Sequence, residues 1–429
     1  MHDRTRRMLC RAGFLGLCVL PTLGVLAWSS SRASPGHSAD RAAELSRELG
    51  LHVSLAGVSY PQPGVALYEG VELADPETAA PLARMRFLES GGGGSVTALV
   101  ASQPEIDALQ LGRFWQVVAE RMRQTTGPQP TIRLAAREAT LDWPAGSQTL
   151  TDVLSELDAK SGSDNERVVT ISFRLAGSDA PEPIRIRYSR RITDSRPISQ
   201  LEIHTGAAAV PCSLLTVPMG IANRLGERAR FRGSLWATEA VDGWAGELTG
   251  EFTEVDLQTA IAEQFPHHLS GTASITVQSA HFRGGRLEDA RGTVAADRGV
   301  VGQSLLSSAA RYMQLAGTAG SDSNAALVPY DQLAFLFEID STGLTIHGQC
   351  DRPPGAIFSG GGTALLAESS GSSGPVVALL RTLVPQSEVQ VPATRESDWL
   401  MRRLPVPQIM PPSGEPPKGK LRLAPQGPG

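Results

Sequence analysis

The sequence predicts a mainly β protein with interspersed short helices, set behind one N-terminal membrane helix. Three observations carry that expectation. Arg4, Arg6, Arg7 and Arg11 precede a stretch from Ala12 to Trp28 that holds no charged residue. Behind it, segment after segment alternates apolar and polar residues with the period of two expected of strands that bury one face. Gly 44 and Pro 30 among 429 residues supply turns between short elements.

The N-terminal stretch, AGFLGLCVLPTLGVLAW, sits at the lower limit of the roughly 17 to 25 apolar residues that cross a bilayer. Ser31-Arg32-Ala33 places small residues where a signal peptidase would read them, whereas Leu26 and Trp28 favour a retained anchor. The anchor is the preferred reading and a cleaved signal the alternative. Either way the arginines stay cytoplasmic, so the expected placement is a bacterial inner membrane, crossed once, with the body from Ser34 in the periplasm. A lipidation signal at Cys18 is excluded by Leu17, where a small residue is required. Of the four cysteines, Cys10 and Cys18 belong to this segment, leaving Cys212 and Cys350 as either a disulfide or two buried thiols.

Composition narrows the body. A hydrophobic content of 41% supports a real core, and a mean hydropathy of -0.10 excludes a protein with many membrane spans. A net charge of -5 and a pI near 6.0 provide no basic field, so nucleic acid is not an expected partner.

The chain divides into 1–33 (cytoplasmic residues and anchor), 34–358 (exported β-rich body), 359–404 (a Gly/Ser linker and two short amphipathic helices) and a disordered proline-rich tail, 405–429. Asp40 to Gly50 is expected as a short helix stopped by Gly50. Three strands follow in LHVSLAGVSY, VALYEGVELAD and PLARMRFLES, separated by Pro61-Gln62-Pro63-Gly64 and Asp75-Pro76-Glu77-Thr78. Gly91 to Gly94 reads as a flexible connection, and Leu111 to Gln124 as a helix on the sheet through Phe114, Val117, Val118 and Met122. Strand patterning resumes in TIRLAAREATLDW, in VVTISFRLAG after a charged loop from Lys160 to Arg167, and in IRIRYSRRI and LEIHT.

A helical piece is expected around Ser213 to Arg228, then a hairpin about Val241-Asp242-Gly243, with Phe231, Gly233, Leu235 and Ala237 on one strand and Trp244, Gly246, Leu248, Gly250 and Phe252 on the other. Asp256 to Phe265 reads as a short helix closed by Pro266, Gly284-Gly285 as a second hairpin turn, and Val300 to Leu315 as a helix. QLAFLFEID and GLTIHGQC form a last strand pair before the Gly/Ser-rich stretch from Ser359 to Gly374. VVALLRTLV and ATRESDWLMRRL are the two terminal helices.

Two regions resemble a known family. The run 42–90 behind an anchor, with LGLHVSLAGVSYPQPGVALYEGVELADPETAAPLARMRFLES, is similar to the start of AsmA-like envelope proteins. The run 235–350, from GELTGEFTEVDLQTAIAEQFPHHLSGTASITV to QLAFLFEIDSTGLTIHGQC, is similar to that family's C-terminal region. The resemblance implies a long curved antiparallel sheet with a hydrophobic groove, and a non-catalytic role in moving or organising lipid in the envelope. Expected partners are the inner membrane, phospholipid or another acyl-chain lipid, and other envelope proteins. Roughly 15 to 20 strands about 4.8 Å apart would span on the order of 70 to 100 Å, short for a bridge across the envelope.

Catalytic signatures are lacking: there is no G-x-S-x-G, H-E-x-x-H, Walker loop or C-x-x-C. Gly360-Gly361-Gly362 and Gly91 to Gly94 read as loops rather than nucleotide cradles. His267, His268, His281 and Asp289 are the one histidine cluster with zinc-like donors, but adjacent histidines on an extended chain face opposite ways. Asp142, Glu156 and Asp158 read as solvated charges rather than an acid/base pair. No catalytic, cofactor-binding or metal residue is therefore assigned, no cofactor is expected, and the chain is not expected to be an enzyme. The alternatives are an envelope interaction module without ligand, docking through the terminal helices around Trp399, and an enzyme of unfamiliar type.

Overall fold

The computed structural model describes residues 8, 11–32, 35–91, 96–123, 131–143, 146–159, 166–193, 196–216, 224–240, 243–262, 265–317, 326–369, 373–384 and 403–404. The second terminal helix with Trp399, nearly all of the proline-rich tail, and the turn residues Val241 and Asp242 fall outside them.

The N-terminal segment departs from a single α-helix. Helical backbone runs from 11 to 32, but Leu15–Val19 is π-helical and only Leu20–Arg32 (α1) is regular α-helix. Pro21 accounts for this: it has no N–H for the Leu17 carbonyl, and the preceding turn widens so that the Leu20 N–H reaches Leu15, five residues back. No helix among the described residues is long and apolar enough to cross a membrane, a correction to the expected membrane helix.

The helix expected at Asp40–Gly50 starts earlier, at Pro35, and ends at Leu49 (α2). Gly50 stops it in the left-handed region at φ 70° with its N–H on Ser46 O, and the Ser46 hydroxyl then accepts the Val53 N–H at 3.0 Å.

All strands join one sheet. β1 (His52–Ser54) and β2 (Gly57–Gln62) pair with β3 (Val65–Ala74), which pairs with β4 (Pro81–Gly91). β5 (Val96–Ser102) and β6 (Glu105–Asp107) both border β4, and both lie parallel to β7 (Thr131–Trp143). Parallel neighbours cannot be joined by a hairpin, and the crossover is the predicted helix, Leu111–Arg123 (α3). From β7 the sheet is antiparallel and almost sequential through β8 (Gly146–Ala159), β9 (Glu166–Leu175), β10 (Ile184–Thr193) and β11 (Arg196–His204).

The short β12 (Val210–Pro211) and a one-turn helix, Cys212–Thr216 (α4), lead to β13 (Arg230–Ala240), which pairs with β11, β12 and β14 (Gly243–Asp256). β15 (Thr272–Arg283), β16 (Arg286–Gly302) and β18 (Leu327–Ile339) extend the meander, with helix Gln303–Tyr312 (α5) and β17 (Ala316–Gly317) inserted before β18. β19 (Leu344–Gly348) and β20 (Ala356–Gly360) pair with different parts of β18, and β21 (Thr363–Ala367) closes on β20. β22 (Ser373–Gly374) borders β19 ahead of helix Val377–Leu383 (α6).

Several boundaries correct the sequence reading. β5, β6 and β8 were not expected; β8 crowds charges among its apolar positions and so lacks clean alternation. The described helix in 213–228 is one turn, and the expected helix at 256–265 is π-helical only over Gln258–Ala262. The helix expected from Val300 begins at Gln303, because β16 runs on to Gly302. The Gly/Ser stretch from 359 is not a linker: Gly361 and Gly362 take φ 57° and 75° and turn the β20–β21 hairpin. Leu366, 2% exposed, anchors that hairpin in the core.

Candidate functional site

The predicted polar residues do not converge. His267 is buried; its Nε2 lies 2.7 Å from the Thr382 carbonyl and its Nδ1 3.1 Å from Ser304 Oγ. The Nε2–H therefore donates to Thr382, and the ring fastens α6 to α5. Burial pushes its pKa below the usual imidazole range, partly opposed by the Thr382 carbonyl. His281 stands elsewhere on the outer face of β15, 2.7 Å from Asp289 Oδ1, a bond that raises its pKa. Among the described residues no three His, Cys, Asp or Glu side chains are grouped to hold a metal.

Glu156 pairs with Arg133 at 2.9 Å and Asp158 accepts from the Thr131 hydroxyl at 3.3 Å. Asp142 lies opposite Ser147, about 30 Å along β8 from Glu156 at 3.3 Å per residue, so the carboxylates do not form a catalytic pair. Cys212 and Cys350 are separate buried free thiols, the first pushed up to about 11 by burial, and neither is an activated nucleophile.

What the sheet does assemble is two faces of opposite character. Residues paired across strands point the same way, so register traces each face directly. One row passes through Arg133, Glu156, Thr170, Arg187, Glu202, Trp236, Glu247, His281 and Asp289, one residue on each strand from β7 to β16 except β12. Opposite charges meet along it, as in Arg133 with Glu156, Arg187 with Glu202 at 3.9 Å, and His281 with Glu247 at 3.9 Å. This face is built for water.

The neighbouring row, on the other face, passes through Leu99, Leu134, Ser155, Ile171, Ile186, Ile203, Leu235, Leu248, Ala280, Ala290, Ile339 and Leu344. It is apolar at every position but one and spans about 50 Å at 4.8 Å per strand.

Among the described residues α3, α4 and α5 all pack on this apolar face, α4 through Leu214 in a cluster with Ile171 and Ile186 and through Leu215 in a cluster with Phe231 and Leu248. On one side α3 sets Met122, Trp115 and Val118 on Val169, Tyr188 and Leu201, with the Trp115 and Tyr188 rings edge to face at 5.3 Å. The Asp75–Arg113 pair holds α3 there: Arg113 donates to both oxygens of buried Asp75 at 2.6 and 3.1 Å, which keeps that carboxyl far below its usual range, with the Glu77 N–H and Thr78 hydroxyl assisting. On the other side α5 places Leu305 and Leu306 over Ile275, Val294, Leu333 and Ile346. Between them, Leu235, Trp244 and Phe282 stand outside every apolar cluster of the described residues, and Trp244 is 37% exposed.

The backbones in the middle of this face approach closely. A Cβ on Gly233 would stand 2.1 Å from the Thr249 carbonyl, and the Phe231 ring fills the space above Gly233 and Gly250 while packing at 4.8 Å on Phe252. Sequence alternation announced Leu235 and Leu248; that Leu248 packs with Leu215 and Phe231 while Leu235 joins no apolar cluster of the described residues came only from the tertiary packing. Comparison of the chain with protein-family models, with curated proteins and with solved structures finds no match in any of the three.

Proposed function

We propose that this chain is a non-catalytic, membrane-associated protein of a bacterial envelope that shelters the acyl chains of lipid along the apolar face of its sheet, which curves to form a groove. The observation that carries the reading is the strip of Leu235, Trp244 and Phe282 on the apolar face, which joins no apolar cluster of the described residues. Each buried methylene of an acyl chain contributes about 0.8 kcal/mol, so a chain laid across several strands gains more than the strip gains from water.

Two further features support it. Phe14, Leu15, Leu17, Leu20, Leu23, Val25 and Leu26 all expose more than half their surface on the N-terminal helical segment, which passes through α1 and α2 into the first strand. An apolar surface of that extent supports a lipid environment for this segment, and with it a sheet held near a bilayer. The resemblance of 42–90 and 235–350 to AsmA-like proteins adds the same expectation of lipid handling.

The test is mass spectrometry of organic extracts from residues 34–405, exported in a bacterial host and purified without detergent beside an unrelated exported β protein. Stoichiometric phospholipid is the expected result. Lipid no higher than in the control would overturn the reading in favour of a sheet that acts through protein contacts alone.

A further inference from the structure

Beneath α2, at the end of the sheet next to the exposed apolar segment, lies a cavity of about 720 Å³ walled by Arg41, Glu44 and Glu48 from the helix and by Tyr60 and Tyr68 from β2 and β3. One guanidinium and two carboxylates therefore face a common space with two phenols. Arg41 pairs with Glu44 and donates from Nε to the Tyr60 hydroxyl at 3.2 Å, which His37 Nε2 also approaches at 2.7 Å. Glu48 has no ion-pair partner among the described residues.

Tyr68 is the informative group. Its side chain is 5% exposed, it lines the cavity, and its hydroxyl has no hydrogen-bond partner among the described residues. Burial, with Tyr60, Glu44 and Glu48 near it, raises its pKa against the opposing Arg41, so it stays a protonated donor at neutral pH. A buried donor without an acceptor is costly, and a ligand oxygen placed there relieves that cost.

We infer that this cavity binds a zwitterion of the phosphoethanolamine type, its anionic oxygens on Arg41 and the Tyr68 hydroxyl and its ammonium on Glu48 beside the tyrosine rings. A purely anionic group would meet two carboxylates, and a quaternary amine could not donate the hydrogen bonds that Glu48 accepts. The floor of the cavity indicates that the zwitterion arrives on a lipid, and this part rests on the function proposed above. Leu45 and Tyr68 belong to the same apolar cluster as Val71, Met85, Leu88 and Leu99, and Leu99 begins the apolar row. A headgroup seated under α2 thus stands at the β5 end of the apolar row.

The experiment uses the full-length chain, delipidated in detergent, offered equal parts of phosphatidylethanolamine, phosphatidylcholine and phosphatidylglycerol, re-isolated and read by native mass spectrometry. Free phosphoethanolamine is titrated in parallel by calorimetry. Expected is about fivefold enrichment of the ethanolamine lipid, lost in Tyr68→Phe and in Glu48→Gln with total bound lipid unchanged. Both substitutions are nearly isosteric, and thermal melting checks their folding.

Bound lipid that mirrors the offered mixture, or enrichment that survives in both variants, overturns the headgroup site while leaving the lipid-binding face standing. Binding of free phosphoethanolamine that Tyr68→Phe abolishes, with no lipid taken up, supports the site and removes its lipid source. No binding of either overturns both.

Discussion

Replacing Leu235 and Leu248 together by glutamine is the sharpest test of the open apolar face. The two are cross-strand partners on β13 and β14, both partly buried, and glutamine preserves nearly the same volume. Full burial of a leucine is worth about 1.5 to 3 kcal/mol, so covering the roughly one third or less of each that remains exposed contributes at most about 0.5 to 1 kcal/mol. The pair then accounts for about 1 to 2 kcal/mol of lipid binding, or about a five- to thirtyfold loss of affinity when both become polar.

The control is Trp236→Gln, the neighbour of Leu235 on the wet face, 45% exposed and opposite Glu247. Lipid retained per chain is measured by native mass spectrometry across a dilution series, with melting curves to match folding. Equal retention by the double variant and the wild type, or equal loss from the Trp236 control, refutes the assignment of the lipid face.

Three further outcomes follow from the packing. Phe231→Ala, which removes a ring only 1% exposed from above the Gly233 and Gly250 pair, is expected to cost about 3 to 5 kcal/mol by urea unfolding; a cost under about 1 kcal/mol would contradict the packing described. His267 has a lowered pKa, so below its ordinary value of 6.5 the unfolded chain takes up a proton that the folded ring resists. Stability is full above that pH and declines as pH falls, at up to about 1.4 kcal/mol per unit, with falling amide protection factors in 377–383, corrected for the intrinsic exchange rate at each pH, as the first sign and constant protection from pH 7 to 5.5 as the refutation.

Arg113→Gln strands the buried Asp75 carboxylate, whose depressed pKa makes its contribution full above the ordinary carboxylate value of 3.8 and lost progressively as pH falls from there to the depressed folded value. The variant should therefore be most destabilised at neutral pH, and its gap from the wild type should narrow by pH 3. Urea midpoints at the two pH values check this, and a constant gap would refute it.

Legibility in the sequence followed the strength of local signals. Val169, Ile171 and Phe173 alternate with Thr170 and Ser172, and they lie on β9 as expected. The Gly284-Gly285 turn and the hairpin around Gly243 were equally plain, because glycine marks the backbone positions a tight turn needs. The Asp75–Arg113 bond was hidden: its partners are 38 residues apart, and Asp75 reads as one more turn residue in Asp-Pro-Glu-Thr. Tyr68 was hidden in the same way, as one aromatic in an apolar strand.

By itself the sequence determined the β-rich class, most strand positions and the two-faced character of each strand, since alternation and turn chemistry are properties of a few adjacent residues. Only the tertiary structure decided which strands share a row, that α3, α4 and α5 pack on the apolar face while Leu235 joins no apolar cluster of the described residues, and that Arg41, Glu48 and Tyr68 meet around one cavity. The physical reason is that register and helix docking are settled by contacts between residues distant along the chain, where a shift of one residue would exchange the wet face for the apolar one.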